Sequence, residues 1–585
     1  MIKMFKEMSK KEVTFFLSSI LFMIVQVWLE LKIPGYMSEI TKLVTTGGET
    51  SEVIHIGIWM VLCALGGFII SVIIGYFSSY VGTSFEKNLR SKVFRKVQSF
   101  GMEEIKKFST SSLITRNTND VTQVKNFVVM GSQMLARAPI MASMAIFKIL
   151  GKEWQFSLIT GIGVIVIFIM ISIIIVFAIP KFKKIQKLTD NLNRITRENL
   201  TGIKVVRAFN AENYQQKKFY GANNELTKTH LFVGRIMSIM DPVMTFVMSF
   251  VPLAIYFVGA NLINTLSTPD KIILFSDMVV FSSYAIQVIL SFTFLVMIFV
   301  IYPRAAVSMG RISEIIDTKV KVRDGKIDHD VNNLKGVIEF RDVSFKYPDA
   351  EECILENINL KINAGETVAF IGGTGSGKST LINLIPRFYD VTNGEILVDG
   401  VNIKELSLKY LHDKIGYVPQ KATLFKGSVK TNTLLGQNSK KSNDDEVLKA
   451  IKIAQAYDFV SKMDKKINSS IAQSGTNVSG GQKQRLSIAR AIYKNPEIYL
   501  FDDAFSALDF KTDYTLRKEL KKYCQNATKL IVASRVGTIM DADKIVVLES
   551  GKCVGIGKHD ELLKTCEVYK EICKSQLGEE KIESA

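Results

Sequence analysis

Long apolar runs fill roughly the first 300 residues; after about 336, short apolar runs alternate with glycine turns and polar helical stretches. Six stretches (13–34, 53–80, 129–150, 155–180, 242–264 and 272–302) each hold the ~20 mostly apolar residues that a membrane-crossing helix needs. The first is not a cleaved leader: Trp28, Glu30 and Lys32 continue it, and no small-residue cleavage site follows. Phe85, Leu89, Val93 and Val97 recur every fourth residue, one face of a helix, so the spanning helices are predicted to continue far beyond the bilayer. Residues 1–12, with Lys3, Lys6, Lys10 and Lys11, suit an interfacial elbow helix. The pattern predicts a transmembrane domain over 13–303, a polar linker over 304–335 with a turn at Asp324-Gly325, an α/β domain over 336–577, and an acidic tail over 578–585.

Composition sharpens this division. Of 585 residues, 47% are hydrophobic and 22% charged, and mean hydropathy is +0.19. Such a chain is neither disordered nor wholly soluble. The net charge of +18 could point to nucleic acid, but its placement argues otherwise. Nine lysines and arginines fall in 82–128 and twelve in 181–235, while the loop 46–52 has none. The positive-inside rule puts the basic loops in the cytosol, and no nucleic-acid-binding motif accompanies the charge. Six cysteines without a C-x-x-C pair make no disulfide framework or zinc ribbon.

The strongest chemical signal is Gly372-Gly373-Thr374-Gly375-Ser376-Gly377-Lys378-Ser379, followed by Thr380. It fits the phosphate-binding loop G-x-x-x-x-G-K-[ST] between a strand-like run, Thr367–Ile371, and a helix-like one, Leu381–Ile385. Glycines let backbone N–H groups turn onto phosphate oxygens; the lysine reaches the outer phosphates and the serine hydroxyl a magnesium ion. The apolar run Ile498–Phe501 ends in Asp502, the carboxylate such a metal requires. Ser479-Gly480-Gly481-Gln482 precedes a helix and forms a second phosphate-binding N-terminus. One nucleotide does not need both loops, so this one suits a nucleotide held by another domain.

These segments make the chain resemble, over nearly its whole length, a half-transporter of the ATP-binding cassette (ABC) exporters. The resemblance implies a multidomain membrane protein: a six-helix α-helical ABC exporter transmembrane domain followed by an α/β P-loop nucleotide-binding domain. It implies that Tyr347 stacks on adenine and that residues 372–380 hold the ATP phosphates. Ser379, Gln420 and Asp502 would hold Mg2+, and Ser479, Gly480, Gly481 and Gln482 would be the signature motif. Ser506–Asp509 match the D-loop; Thr115–Val121 and Gly202–Phe209 match the two cytosolic loops, with coupling helices near 106–116 and 199–212. Two cassettes would face each other head to tail, each ATP lying between one P-loop and the opposite signature.

The chain departs from that family at the positions where water is activated. Asp503 stands where a glutamate polarises the attacking water, and Ser534 where a histidine contacts the γ-phosphate. Aspartate is shorter by one C–C bond, about 1.5 Å, and errors of about 1 Å cost on the order of 100-fold in rate. With Gln420, these complete the expected catalytic set. Smaller departures are Val478, where leucine is common, and Gln473, where an acidic residue is common. The whole looks like the degenerate half of heterodimeric bacterial multidrug exporters. Its partner would be a second half-transporter with an intact glutamate and histidine; its substrate hydrophobic or amphiphilic; its place the bacterial inner membrane, multi-pass, with the cassette cytoplasmic. The rivals are a homodimer with two slow sites exporting lipid or peptide, and a nucleotide-gated regulator that does not pump. Glu30, Asp277 and Arg137 are charges within the spans, suited to a cationic substrate or to pairing between helices. Met244, Phe246, Met248, Phe250, Phe292, Phe294, Met297 and Phe299 could line a greasy cavity or face lipid.

Overall fold

A computed structural model describes residues 8–149, 153–263, 268–436 and 443–577, which form two compact units. The elbow expected over 1–12 lies mostly outside these residues, as does the tail 578–585. One unit takes Met1–Gln98 and Ser111–Thr318; the other takes Ser99–Thr110 and Lys319–Ala585.

The first unit is helical. Lys10–Thr46 opens on a capping box. The Ser9 N–H donates to Glu12 Oε2 (2.8 Å), and Glu12 Oε1 accepts from Ser84 Oγ (2.7 Å) and Asn88 Nδ2 (2.8 Å). One buried carboxylate thus starts this helix and ties it to the next, Thr50–Gln98. Helices Trp154–Thr201 and Thr268–Asp317 are of similar length, the last running on past Pro303. These greatly exceed the ~20 residues of a crossing, as the spacing of Phe85, Leu89 and Val93 predicts, and all three of those side chains are buried. Tyr284 donates its hydroxyl to Leu31 O (3.0 Å) inside a core that includes Val27, Phe156, Ile255 and Phe281.

Among the described residues, five helical segments are long and apolar enough to cross a membrane: Lys10–Thr46, Thr50–Gln98, Trp154–Thr201, Glu212–Ile263 and Asp270–Leu295. The expected crossing at 129–150 is not among them. Its helix, Ser132–Ile149, carries Arg137, Pro139 and Lys148. It follows two π-helical turns, Arg116–Asp120 and Phe127–Gly131.

The second unit is α/β. An antiparallel sheet contains β1 (Ile338–Phe345), β2 (Leu355–Ile362), β4 (Asn393–Val398) and β5 (Val401–Asn402), in the order β2-β1-β4-β5. The larger sheet contains β3 (Thr367–Gly372), β6 (Ile415–Val418), β9 (Ile498–Asp502), β10 (Thr528–Val532), β11 (Lys544–Glu549) and β12 (Lys552–Gly557). Its order is β12-β11-β3-β10-β9-β6, with β12 antiparallel and the other five parallel. A short ribbon pairs β7 (Gly427–Ser428) with β8 (Ser470–Ile471). Near-continuous apolar strands such as β9, buried at all five positions, mark a parallel sheet covered on both faces. Lys414 is a buried hub: its Nζ donates to Asp330 Oδ1 (2.6 Å), Asp399 Oδ2 (2.8 Å) and Glu497 Oε2 (2.8 Å), fastening the segment before β1 to both sheets.

Candidate functional site

In open parallel sheets, ligands bind outside the carboxyl ends of the strands. Four neighbouring strands place candidate residues at that edge. β3 ends at Gly372, where the glycine loop begins; β9 ends at Asp502; Gln420 and Ser534 each lie two residues beyond β6 and β10. Register fixes their level, since Val532 pairs with both Asp502 and Phe370, and Val418 pairs with Phe501. Residues scattered from Gly372 to Ser534 are thereby drawn to one edge.

The loop needs its glycines. A Cβ at Gly372 would lie 2.0 Å from Leu548 O, and Gly377, at φ 94°, would meet Leu355 Cδ2 at 2.7 Å. Helix Lys378–Leu384 starts immediately after. Lys378 Nζ is folded onto its own loop, donating to Gly372 O (2.9 Å), Gly373 O (2.7 Å) and Ser376 Oγ (3.2 Å). Burial lowers its pKa, opposed by the charges of Asp503 and Asp502. Ser379 Oγ donates to Asp502 Oδ1 at 2.6 Å. Asp502 is 5% exposed; burial pushes its carboxyl up, the Ser379 hydrogen bond opposes this, and neighbouring Asp503 adds to it. A hydroxyl and a buried carboxylate meeting at one point form the hard oxygen donor set that Mg2+ prefers.

Asp503 is held from two sides. Gln420 Nε2 donates to its Oδ2 (3.4 Å) and Ser534 Oγ to its Oδ1 (3.3 Å). Its backbone is at φ 46°, with its N–H on Val532 O (3.1 Å) and its carbonyl accepting Ser506 Oγ (2.8 Å). The structure therefore brings Gln420, Asp502, Asp503 and Ser534 together with the loop 372–380.

Tyr347 stands to one side, its hydroxyl 3.2 Å from Thr380 Oγ1. Phe345 and Tyr389 meet its ring nearly perpendicular, at centroid distances of 4.9 and 5.3 Å. The Ser479 motif closes on itself. Ser479 Oγ accepts from the Gln482 N–H (3.4 Å) and the Ser479 N–H donates to Gln482 Oε1 (2.9 Å), capping helix Gly480–Lys494. Among the described residues these bonds do not reach the glycine loop.

Sequence reasoning missed the supporting residues. Gln576, on the last described helix, Glu567–Leu577, donates to Ser534 O (2.8 Å) and accepts from the Val536 N–H (2.8 Å), bracing the segment after β10. Gln484 Nε2 donates to Pro419 O (3.1 Å), joining the helix of the Ser479 motif to the Gln420 loop. Tyr417 donates to Asn383 Oδ1 (3.0 Å), and burial, then the Asp502 charge, raise its phenol. No local pattern marks these residues; only the folded chain brings them to the site.

In the membrane unit, Glu30 is paired. Arg137 Nη2 donates to both its oxygens (2.9 Å each), and Gln26 Nε2 donates to Oε1 (2.9 Å). The Arg137 guanidinium also lies 5.9 Å from the Phe294 ring centroid. Phe246 and Phe250 stack on each other and are exposed, whereas Met244 is buried. The Thr115–Val121 segment grips helix Thr268–Asp317: Arg116 Nη1 donates to Arg311 O and Glu314 Oε2 (2.7 Å each), and Ser308 Oγ donates to Asp120 (2.7 Å).

Residues 16–306 match the transmembrane region of ABC transporters, and 355–506 match the ABC transporter family. An uncharacterised ABC transporter ATP-binding protein of Mycobacterium tuberculosis is 35% identical over 557 residues, 93% of each chain. An ATP-dependent lipid A-core flippase of Syntrophus aciditrophicus is 31% identical over 86% of this chain and 82% of its own. A bacterial Atm1-family ABC exporter solved with ATP bound has the same fold, with a TM-score of 0.77 at 23% identity, over 97% of this chain and 98% of its own.

Proposed function

The chain belongs to the ABC transporters, as a multi-pass membrane exporter subunit with a cytoplasmic nucleotide-binding domain, and on that premise we propose that it is the half of a heterodimer whose own site binds ATP and hydrolyses it slowly. The observation that carries this reading is Asp503, a short carboxylate bonded to a serine hydroxyl where a glutamate–histidine pair would act.

In this reading Tyr347 stacks on adenine, and the loop 372–380 cradles the phosphates. Lys378, released from its own carbonyls, neutralises the outer phosphates. Ser379, Asp502 and Gln420 fit a magnesium ion, which when bound spreads charge from the β- and γ-phosphates. Asp503 accepts the proton of the attacking water poorly, being short and already engaged. Ser534 gives at most a neutral hydrogen bond to the γ-phosphate. Ser479–Gln482, capped and intact, complete the partner's site, where turnover resets the transporter. The continuous helical run through both π turns to Ile149 serves as the sixth crossing, with Arg137 neutralised by Glu30. The substrate is hydrophobic or amphiphilic; the flippase among the relatives, named for a lipid, supports that class.

The test is ATPase activity of the full chain alone and co-purified with a half-transporter that has glutamate and histidine at the two positions. The expected result is activity only in the mixture, abolished by removing the partner's glutamate. Full activity alone establishes a homodimer instead, and none in either sample favours a nucleotide-gated regulator.

A further inference from the structure

The segment Ser99–Thr110 belongs to the same compact unit as β1 and the glycine loop, although most of the chain around it belongs to the other. It carries the helix Met102–Phe108, opened by a Gly101 N–H to Glu104 Oε2 bond of 2.9 Å. The buried Glu104 also accepts the Lys321 N–H through Oε1 (3.0 Å), and Phe100 stacks on Phe108 at 5.8 Å. The helix is therefore tied to this unit through Glu104, and its last residue folds back on Phe100. From it, Lys106 projects its ammonium over the Tyr347 ring, 4.6 Å from the centroid, and 5.5 Å from that of Tyr389. Both distances fall within cation–π range.

The Tyr347 ring is packed against the core and pinned through Thr380. Phe345 and Tyr389 lie nearly perpendicular to it, the ring stays half-buried, and Lys106 sits over it. A flat base and an ammonium ion both seek the electron-rich face of a phenol ring, and they cannot share one face. We propose that Lys106 is a base-displaced plug: it holds the Tyr347 face in the nucleotide-free chain, and a purine that stacks there expels it. Occupancy of the base site is thus reported to the first cytosolic loop by the loss of one contact, before any phosphate chemistry. The proposal rests on Tyr347 being the base-stacking residue. It differs from ordinary phosphate attraction in sign, since removing a cation here strengthens binding of a polyanion.

The experiment measures ATP affinity of the full-length, detergent-solubilised chain in EDTA, where hydrolysis is blocked. Lys106→Met is expected to tighten ATP binding about threefold to tenfold, the range of a partly desolvated cation–π contact. It should leave the affinity for inorganic tripolyphosphate, which has no base, unchanged. Lys106→Arg retains the plug and should resemble the parent. Lys107→Met, which removes the same charge one residue on, should not tighten binding. Tyr347→Ala tests the underlying reading: it should weaken ATP binding, and the Lys106→Met gain should vanish in that background. If Tyr347→Ala leaves affinity unchanged, the base site lies elsewhere and the premise falls. If Tyr347→Ala weakens binding but Lys106→Met weakens it too or does nothing, the premise stands and the plug is wrong.

Discussion

Asp503 is fixed at its backbone, by the strand bond to Val532 and the Ser506 hydroxyl, so its side chain alone decides how far its carboxylate reaches. Asp503→Glu with Ser534→His is expected to raise turnover at this site by about tenfold or more. The measurement is ATPase activity of the proposed heterodimer with the partner's glutamate removed, leaving this site alone to contribute. Asp502 makes a different prediction. Its carboxyl is raised chiefly by burial, so the folded chain holds that proton more tightly than the unfolded chain does. The resulting stability is fully present below the unfolded value of about 3.9 and is lost as pH rises through the native value. At neutral pH the nucleotide-free protein therefore carries an unfavourable charge. Asp502→Asn keeps the Ser379 bond and should raise the melting temperature by about 2 °C. That gain should shrink as the pH approaches 4 (about the carboxylate range). A thermal melt series with pH checks both.

At the scale of elements, the sequence was most informative where one short stretch serves one site. The glycine loop, the strand ending in Asp502 and the Ser479 cap could each be read from fewer than ten residues, because backbone geometry and chemistry coincide there. Lys414, Gln484, Gln576 and Lys106 could not, since each acts on residues tens to hundreds of positions away. Lys414 shows what that costs. Its three carboxylates outweigh the burial that opposes its charge, and its pKa is raised far above the ordinary lysine value. This stability is complete below the unfolded value of about 10.4 and is lost as pH rises from there through the native one. Lys414→Met leaves Asp330, Asp399 and Glu497 crowded without a cation, and should destabilise the nucleotide-binding unit by about 3 kcal/mol. Denaturant titration of the full chain, followed by tyrosine fluorescence, reads the loss. Ser479→Ala removes a helix cap and should cost about 1 kcal/mol; assembled with a partner, it should also abolish that partner's turnover.

Across the whole molecule, the apolar pattern predicts six crossings, and among the described residues five helices are long and apolar enough; Ser132–Ile149, where Arg137 and Lys148 interrupt the apolar run, is not among them. The compensating charge is Glu30, on another helix and invisible to any sliding window. Arg137→Met alone should leave Glu30 unpaired in the membrane unit and destabilise it by about 1–3 kcal/mol, and adding Glu30→Gln should recover most of that loss. Unfolding of the detergent-solubilised protein distinguishes the pair. The substrate was not legible, because Phe246 and Phe250 face outward while Met244 packs inward, and composition alone does not tell the two apart.

The helix Thr50–Gln98 has 49 residues, about 70 Å of unbroken rod, and the Arg116 and Asp120 contacts clamp the helical run of the first cytosolic loop to the equally long Thr268–Asp317. A rod of that length is a mechanical amplifier. Pivoting by about five degrees, it sweeps its tip through about 6 Å, a displacement larger than one helical turn. Stiffness along such rods, rather than strength at any single contact, then limits how much motion is lost between one end and the other.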